Sequence, residues 1–375
     1  MRYIFDNIII DLKRKMVFIA GPRQCGKSTL AQSVIESLNC EGELLNWDDD
    51  DDRRKILGRQ WSDKDPVIVF DELHKYRNWK NWIKGIFDKR KKTQTYLVTG
   101  SARLDHYRKG GDSLLGRYHL WRLHPFTLDE RPSTMTPAEA FRRLMTVGGF
   151  PEPFLEGDET FAKRWRRERF DRVLHEDIRD LENVRSIAAI EELSTMLRER
   201  VGGSISYANL ASDLRVAPAS VQKWIEILER MYVVFLVRPY SKKLARSIQK
   251  SPKVYFYDNA DVFTAPDGSN GARFENLVAA HLLKKIHFQE DSLGDRLSLR
   301  YIRDKEKREV DFVIVRNDVV EELIEVKYSD TQVSKALVHY GEALKAPKLT
   351  QIVATLQKPY VSGKVLMTNP WEYFR

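Results

Sequence analysis

The chain has 375 residues, 42% hydrophobic and 31% charged, which excludes a disordered polymer and leaves room for two or three domains with real cores. A formal net charge of +9 favours a polyanionic partner such as nucleic acid. The longest apolar run, Met231–Val237, is too short to cross a bilayer, and MRYIFDNIIIDLKRK lacks a signal peptide's apolar core and cleavage site. No membrane partner is therefore expected. Cys25 and Cys40 lie in no metal-ligand spacing, and the expected location is cytoplasmic.

Met16–Ala20 reads as a buried strand, followed by a Gly/Pro turn and the helical stretch STLAQSVIESL. The acidic run Asp48–Asp52, followed by Arg53, Arg54 and Lys55, reads as a solvated loop. Pro66–Phe70, Thr95–Thr99 and His119–Leu123 are further apolar runs, and their alternation with helical segments predicts a parallel sheet flanked by helices. From about 135 to 200 the pattern is helical and basic. Ser206 is placed to cap a short helix, Tyr207–Leu214, and Pro218 to open a second, running to about Met231. The strand-like VVFLV, a basic segment Ser241–Lys250 and KVYFYD then complete the outline of a winged helix. Beyond it come a helix, Phe274–Lys285, and strand-like pieces at 298–303, 309–315 and 320–328.

The segment Gly21-Pro22-Arg23-Gln24-Cys25-Gly26-Lys27-Ser28 fits G-x-x-x-x-G-K-[ST] between a strand and a helix. Glycine lets the backbone curl so that N–H groups point at phosphates, and the helix that continues through Thr29 adds its N-terminal dipole. Lys27 is expected to neutralise the β- and γ-phosphates of ATP, and Ser28 to ligate Mg²⁺. Val67–Phe70 ends in Asp71 and Glu72, which suits a buried strand delivering acids to the sheet's carboxyl edge. Asp71 would hold the Mg²⁺ shell, while Glu72 would orient and deprotonate the attacking water.

The third strand runs into Gly100-Ser101, and Leu114-Leu-Gly-Arg117 precedes the fourth. With these features the chain resembles an AAA+ ATPase. That resemblance assigns Ser101 (or Thr99) as the polar sensor and Arg117 as an arginine reaching a neighbour's ATP. Arg117 in that role implies a homo-oligomer, such as a hexamer. Arg164 and Arg167 are the candidates for a second sensor arginine.

In the last segment, Glu309-Val-Asp311 leads through a turn at Asn317-Asp318 to Glu325-Val-Lys327. Alternation puts Glu325 and Lys327 on one strand face, where a hairpin would add Asp311, and Glu275 lies in the preceding helix. Two acids would bind Mg²⁺ or Mn²⁺, a third would tune the site, and the lysine would stabilise charge at an attacked phosphate. The set resembles the PD-(D/E)XK nuclease superfamily, with Glu275, Asp311, Glu325 and Lys327 in its motif positions. The expected class is therefore α/β: an AAA+ P-loop core (1–130), a helical lid (131–200), a winged helix (201–255) and a PD-(D/E)XK-like α/β domain (256–375). This order resembles a prokaryotic family of ATPases with a C-terminal nuclease-type domain, an impression strengthened by D-E-L-H-K-Y-R-N-W-K-N-W from Asp71 and G-G-F-P-E-P from Gly148.

DNA is the expected partner. The expected recognition helix, SVQKWIEILERM, offers only Lys223 and Arg230 for phosphate contact. Lys242, Lys243, Arg246 and Lys250 suit a basic wing better, with further charge at Lys89–Lys92 and Lys163–Arg167. Trp165 is expected to pack in the lid.

Overall fold

Five strands form an all-parallel sheet in the order β2-β3-β4-β1-β5: β1 (Met16–Ala20), β2 (Gly42–Asn46), β3 (Val67–Asp71), β4 (Thr95–Gly100) and β5 (Tyr118–Arg122). β1 and β3 are buried along their whole length, as continuous Val/Ile/Phe runs should be in a sheet covered on both faces. Among the described residues, four helices accompany these strands: α1 (Phe5–Leu12), α2 (Lys27–Ser37), α3 (Asp50–Gly58) and α4 (Trp79–Lys89). Because β4 lies between β1 and β3, the carboxyl ends of these three strands sit side by side. The computed structural model describes residues 1–38, 42–62, 66–91, 93–100, 104, 114–178, 186–241, 251–263 and 270–375.

The acidic run is not the solvated loop expected. Asp49 is the N-cap of α3, accepting from the backbone N–H groups of Asp51 and Asp52 at 3.0 Å, and Asp50–Asp52 form its first turn. Carboxylates there satisfy orphan donors and oppose the positive helix end, and Arg54 pairs with Asp51 one turn on at 2.6 Å.

Contacts divide the chain into two compact units, Met1–His124 and Pro125–Arg375, rather than the four expected segments. In the second unit the helices are α5 (Pro137–Thr146), α6 (Pro151–Glu156), α7 (Glu159–Arg172), α8 (Ile187–Arg198), α9 (Tyr207–Asp213) and α10 (Pro218–Arg230). Ser206 caps α9 through Asn209 N–H, and Pro218 opens α10. The antiparallel hairpin β6 (Val234–Pro239) and β7 (Lys253–Phe256) follows, then α11 (Gly271–Leu293). The remaining elements are β8 (Leu297–Arg303), β9 (Glu309–Arg316), β10 (Val319–Lys327), α12 (Lys335–Leu344), β11 (Lys348–Val353), β12 (Tyr360–Ser362), β13 (Val365–Thr368) and α13 (Pro370–Tyr373).

One eight-stranded sheet runs β12-β13-β11-β10-β9-β8-β6-β7. Residue 256 is therefore no boundary between sheets, because β6 pairs parallel with β8 through Arg238–Arg300 and Pro239–Tyr301. Asn317 and Asp318 both adopt positive φ (48° and 68°), the conformation a two-residue hairpin turn requires, and fix the β9–β10 register. The G-G-F-P-E-P segment also acquires a reason. Gly148 has φ +86° and lies so close to Asp258 that a Cβ would sit 2.0 Å from its Oδ1, while Gly149 N–H donates to that same oxygen at 3.3 Å. Among the described residues no helix is long and apolar enough to cross a membrane.

Candidate functional site

The P-loop leaves the end of β1 and turns through Gln24 (φ 65°) and Gly26 (φ 90°) into the first turn of α2. Gly26 is left-handed, which costs glycine nothing and directs the unpaired first-turn N–H groups of α2 outward from the helix start. Lys27 is buried, and its Nζ donates to the carbonyls of Pro22 at 2.9 Å and Gly21 at 3.2 Å, holding the ammonium within the loop. Cys25 is a fully buried thiol whose Sγ lies 3.7 Å from Leu123 O, so it serves as packing beneath the loop.

The two sequence motifs meet at one carboxylate. Ser28 Oγ donates to Asp71 Oδ2 at 2.6 Å, and Thr99 Oγ1 at the end of β4 donates to Asp71 Oδ1. An adjacent hydroxyl and carboxylate oxygen form a hard-oxygen pair that fits Mg²⁺, so Ser28 and Asp71 are the residues that would hold it. Glu72 follows with φ 54°, a left-handed conformation rare for glutamate, of the kind that concentrates at functional positions. Burial pushes the Glu72 carboxyl above its ordinary range, and Asp71 adds to this against the opposing pull of Lys27. A raised pKa makes Glu72 a stronger base while Lys27 and Lys75 keep the charged form accessible.

His74 was not singled out from the sequence. Its ring is buried and Nδ1 lies 3.7 Å from Glu72 Oε2. The only sequence signal was its place two residues after Glu72, inside D-E-L-H. Arg117 grips Asp88 as a fork, Nε to Oδ1 at 2.8 Å and Nη2 to Oδ2 at 3.1 Å. Ser101 lies outside the described residues; the alternative, Thr99, is the residue that touches Asp71. Arg164 and Arg167 are exposed on α7. Trp165 is buried, its ring 5.2 Å from that of Phe150 and tilted by 47°, with its Nε1 donating to Glu152 at 2.8 Å.

In the second unit the C-terminal residues converge. Ile324 pairs with Phe312 across β9 and β10, so the next pair sets Asp311 beside Glu325. Asp311 Oδ2 accepts from Val326 N–H at 2.9 Å, and Lys327 Nζ lies 2.7 Å from Glu325 Oε1. Glu275 arrives from α11 and accepts a 2.6 Å hydrogen bond from Tyr255 OH. Burial, reinforced by Asp311, pushes the carboxyls of Glu275 and Glu325 each up to about 7.

The fit to Mg²⁺ or Mn²⁺ at this cluster is another matter. Glu325 Oε2 is buried without a hydrogen bond, as a metal ligand would be. Against it stands a lysine that no sequence motif marks. Lys253 Nζ lies 2.5 Å from Glu309, 3.3 Å from Glu275 and 3.7 Å from Asp311. Among the described residues, no group of three or more His, Cys, Asp or Glu side chains is arranged to hold a metal ion. As it stands, the donor set expected at Glu275, Asp311 and Glu325 does not fit a divalent metal. The missed signal was a lysine opening an otherwise apolar strand, KVYF, where an unpaired charge could not be buried.

Of the basic residues expected to touch DNA, Lys223 is exposed on α10, whereas Lys242, Lys243, Arg246 and Lys250 lie outside the described residues.

Comparison with known proteins bears on this geometry. Residues 13–131 match a family described as AAA domain. The matched span takes in the P-loop, Asp71, Glu72 and the five-stranded parallel sheet. Residues 138–262 and 270–370 match two further families, described as domains of unknown function DUF8612 and DUF4143. Uncharacterized proteins of Mycobacterium tuberculosis and Mycobacterium bovis are each 27% identical over 244 residues, 65% of this chain and 54% of theirs. The chain therefore spans about half the length of these relatives. An uncharacterized protein of Methanocaldococcus jannaschii is 22% identical over 98% of this chain and 86% of its own. Among solved structures, Bacteroides Pif1 bound to ssDNA is similar at TM-score 0.21 (12% identity, 38% of this chain, 48% of that one). The Bacillus subtilis DNA clamp loader delta protein is similar at TM-score 0.29 (10% identity, 61% and 88%). Those scores are too low for either likeness to bear on function.

Proposed function

We propose that the chain binds and hydrolyses ATP at the P-loop, and that the nucleotide state gates how the second unit grips a partner. The observation that carries the hydrolytic half is the bracket on Asp71, whose two oxygens take hydroxyls from the P-loop (Ser28) and from β4 (Thr99). Lys27 binds the β- and γ-phosphates, and the N-terminal amides of α2 orient them. Glu72 holds the attacking water and takes its proton. Mg²⁺, when bound, neutralises charge developing on the phosphate oxygens. Arg117 completes the site of a neighbouring copy in a homo-oligomer, once released from Asp88.

The proposed partner is DNA, supported by the net charge of +9 and by the α9–α10 helix pair leading into the β6–β7 hairpin, a winged-helix outline. Lys253 among the acids favours a unit that binds DNA without cutting it. A second reading, an ATP-driven motor with a metal-dependent nuclease acting on branched DNA such as Holliday junctions in repair, recombination or defence, is favoured by the unpaired Glu325 Oε2. Fluorescence anisotropy with labelled duplex, single-stranded and four-way junction DNA, with ATP or ADP and Mg²⁺, tests the gate. Affinity that changes with nucleotide while the DNA stays intact supports gated binding. Cleavage that Glu325→Ala abolishes supports the second reading. Affinity indifferent to nucleotide for every form removes the gate.

A further inference from the structure

Lys253 begins β7, where its backbone is fixed on two sides, by Val237 of β6 and by a bridge to Ser204. Its side chain is 2% exposed and reaches acids on two other elements: Glu309 and Asp311, two apart on one face of β9, and Glu275 on α11. The ring of Tyr301, 5.5 Å from Nζ, closes another side. Two more cations serve the same cluster: Lys327 holds Glu325, and Arg303 lies 3.5 Å from the second oxygen of Glu309. Four carboxylates thus face three cations. A divalent ion entering between Glu275 and Asp311 would meet the Lys253 ammonium at contact distance in a buried setting, where like charges repel strongly. Strand pairing on both sides fixes the Lys253 backbone beside these acids.

We infer that Lys253 is the resident cation of this cluster: it fills the place a catalytic metal would take, and its removal opens a divalent-cation site built from Glu275, Asp311 and Glu325. The inference deepens the reading of the second unit as a binder that does not cut. The neutralising charge is covalently part of the chain, so the cluster ties the hairpin, α11 and β9 together irrespective of metal supply.

The test is Mn²⁺ binding to the nucleotide-free full chain, read by electron paramagnetic resonance of the free ion. In the wild type, Glu325→Gln leaves the titration unchanged, because Glu325 holds no metal there. In Lys253→Met an additional Mn²⁺ site appears, and Glu325→Gln in that background weakens it by about tenfold or more. Mn²⁺ raises the melting temperature of Lys253→Met by more than it raises that of the wild type. A wild type that loses Mn²⁺ affinity on Glu325→Gln overturns the inference, as does a folded Lys253→Met with no new site. Should Lys253→Met fail to fold, the wild-type and Glu325→Gln comparison alone decides between these outcomes. ATP turnover in the same preparations reports separately on the P-loop, so neither result stands in for the other.

Discussion

Ser28 and Asp71, 43 residues apart in the chain, are joined by a 2.6 Å hydrogen bond from Oγ to Oδ2 at the carboxyl edge of the sheet. β4 separates the strands that deliver them, and Thr99 at its end ties the other oxygen of Asp71. Glu72, the next residue, has a left-handed backbone and is made more basic by burial. Glu72→Gln keeps the shape and removes the base. It is expected to bind ATP with near-normal affinity while turnover falls about 10²–10⁴-fold. Equilibrium binding of a fluorescent ATP analogue beside a phosphate-release assay checks both halves.

Gly148 faces Asp258 with no space for a Cβ and with a φ that side chains resist. Gly148→Ala is expected to cost about 2–4 kcal/mol, combining backbone strain with displacement of a buried, hydrogen-bonded carboxylate. Urea unfolding of the two proteins measures it, and a difference below about 0.5 kcal/mol would mean that the contact yields without cost.

His281 sets a pH dependence. Its Nδ1 contacts Leu277 O at 2.8 Å and its Nε2 accepts from Leu128 N–H at 3.0 Å, so only the neutral ring satisfies both. Burial pulls its pKa down to about 4. The unfolded chain takes up this proton first as pH falls, so the contribution is fully present above about 6.5 and is lost on descending toward 4. The expected loss is on the order of 2–3 kcal/mol. His281→Gln cannot titrate and should flatten this part of the profile; unfolding free energies at pH 7 and pH 4.5 for both proteins check the sign.

Lys253→Ala strips the cation from three acids in a buried cluster. Removing one member of such a network typically costs about 3–5 kcal/mol. Pairing it with Glu309→Gln, which lightens the negative charge left behind, should recover part of that loss. Denaturant midpoints of the single and double variants read the coupling.

The candidate nucleotide site was legible because each of its parts is local. A glycine turn between a strand and a helix, and acids closing an apolar strand, keep their meaning in a short window. β2 was missed since Gly42-Glu-Leu-Leu-Asn46 has neither clean alternation nor a continuous apolar run. The α3 start was read as loop because a run of aspartates looks solvated until the helix they cap is seen. The acids of the C-terminal cluster were found from strand alternation. Lys253 was not, because its partners lie 22, 56 and 58 positions away, and only the pairing of β6 with β8 brings them to it. The same pairing joins strands on either side of residue 256 in one sheet.

The most direct test of the account is steady-state ATP hydrolysis by the wild type and Lys27→Ala with Mg²⁺, alone and with duplex, single-stranded or four-way junction DNA. Turnover in the wild type that falls about 100-fold or more in Lys27→Ala, and that changes with at least one DNA form, is the predicted result. Equal rates in the two proteins, or none in the wild type under any condition, would contradict it.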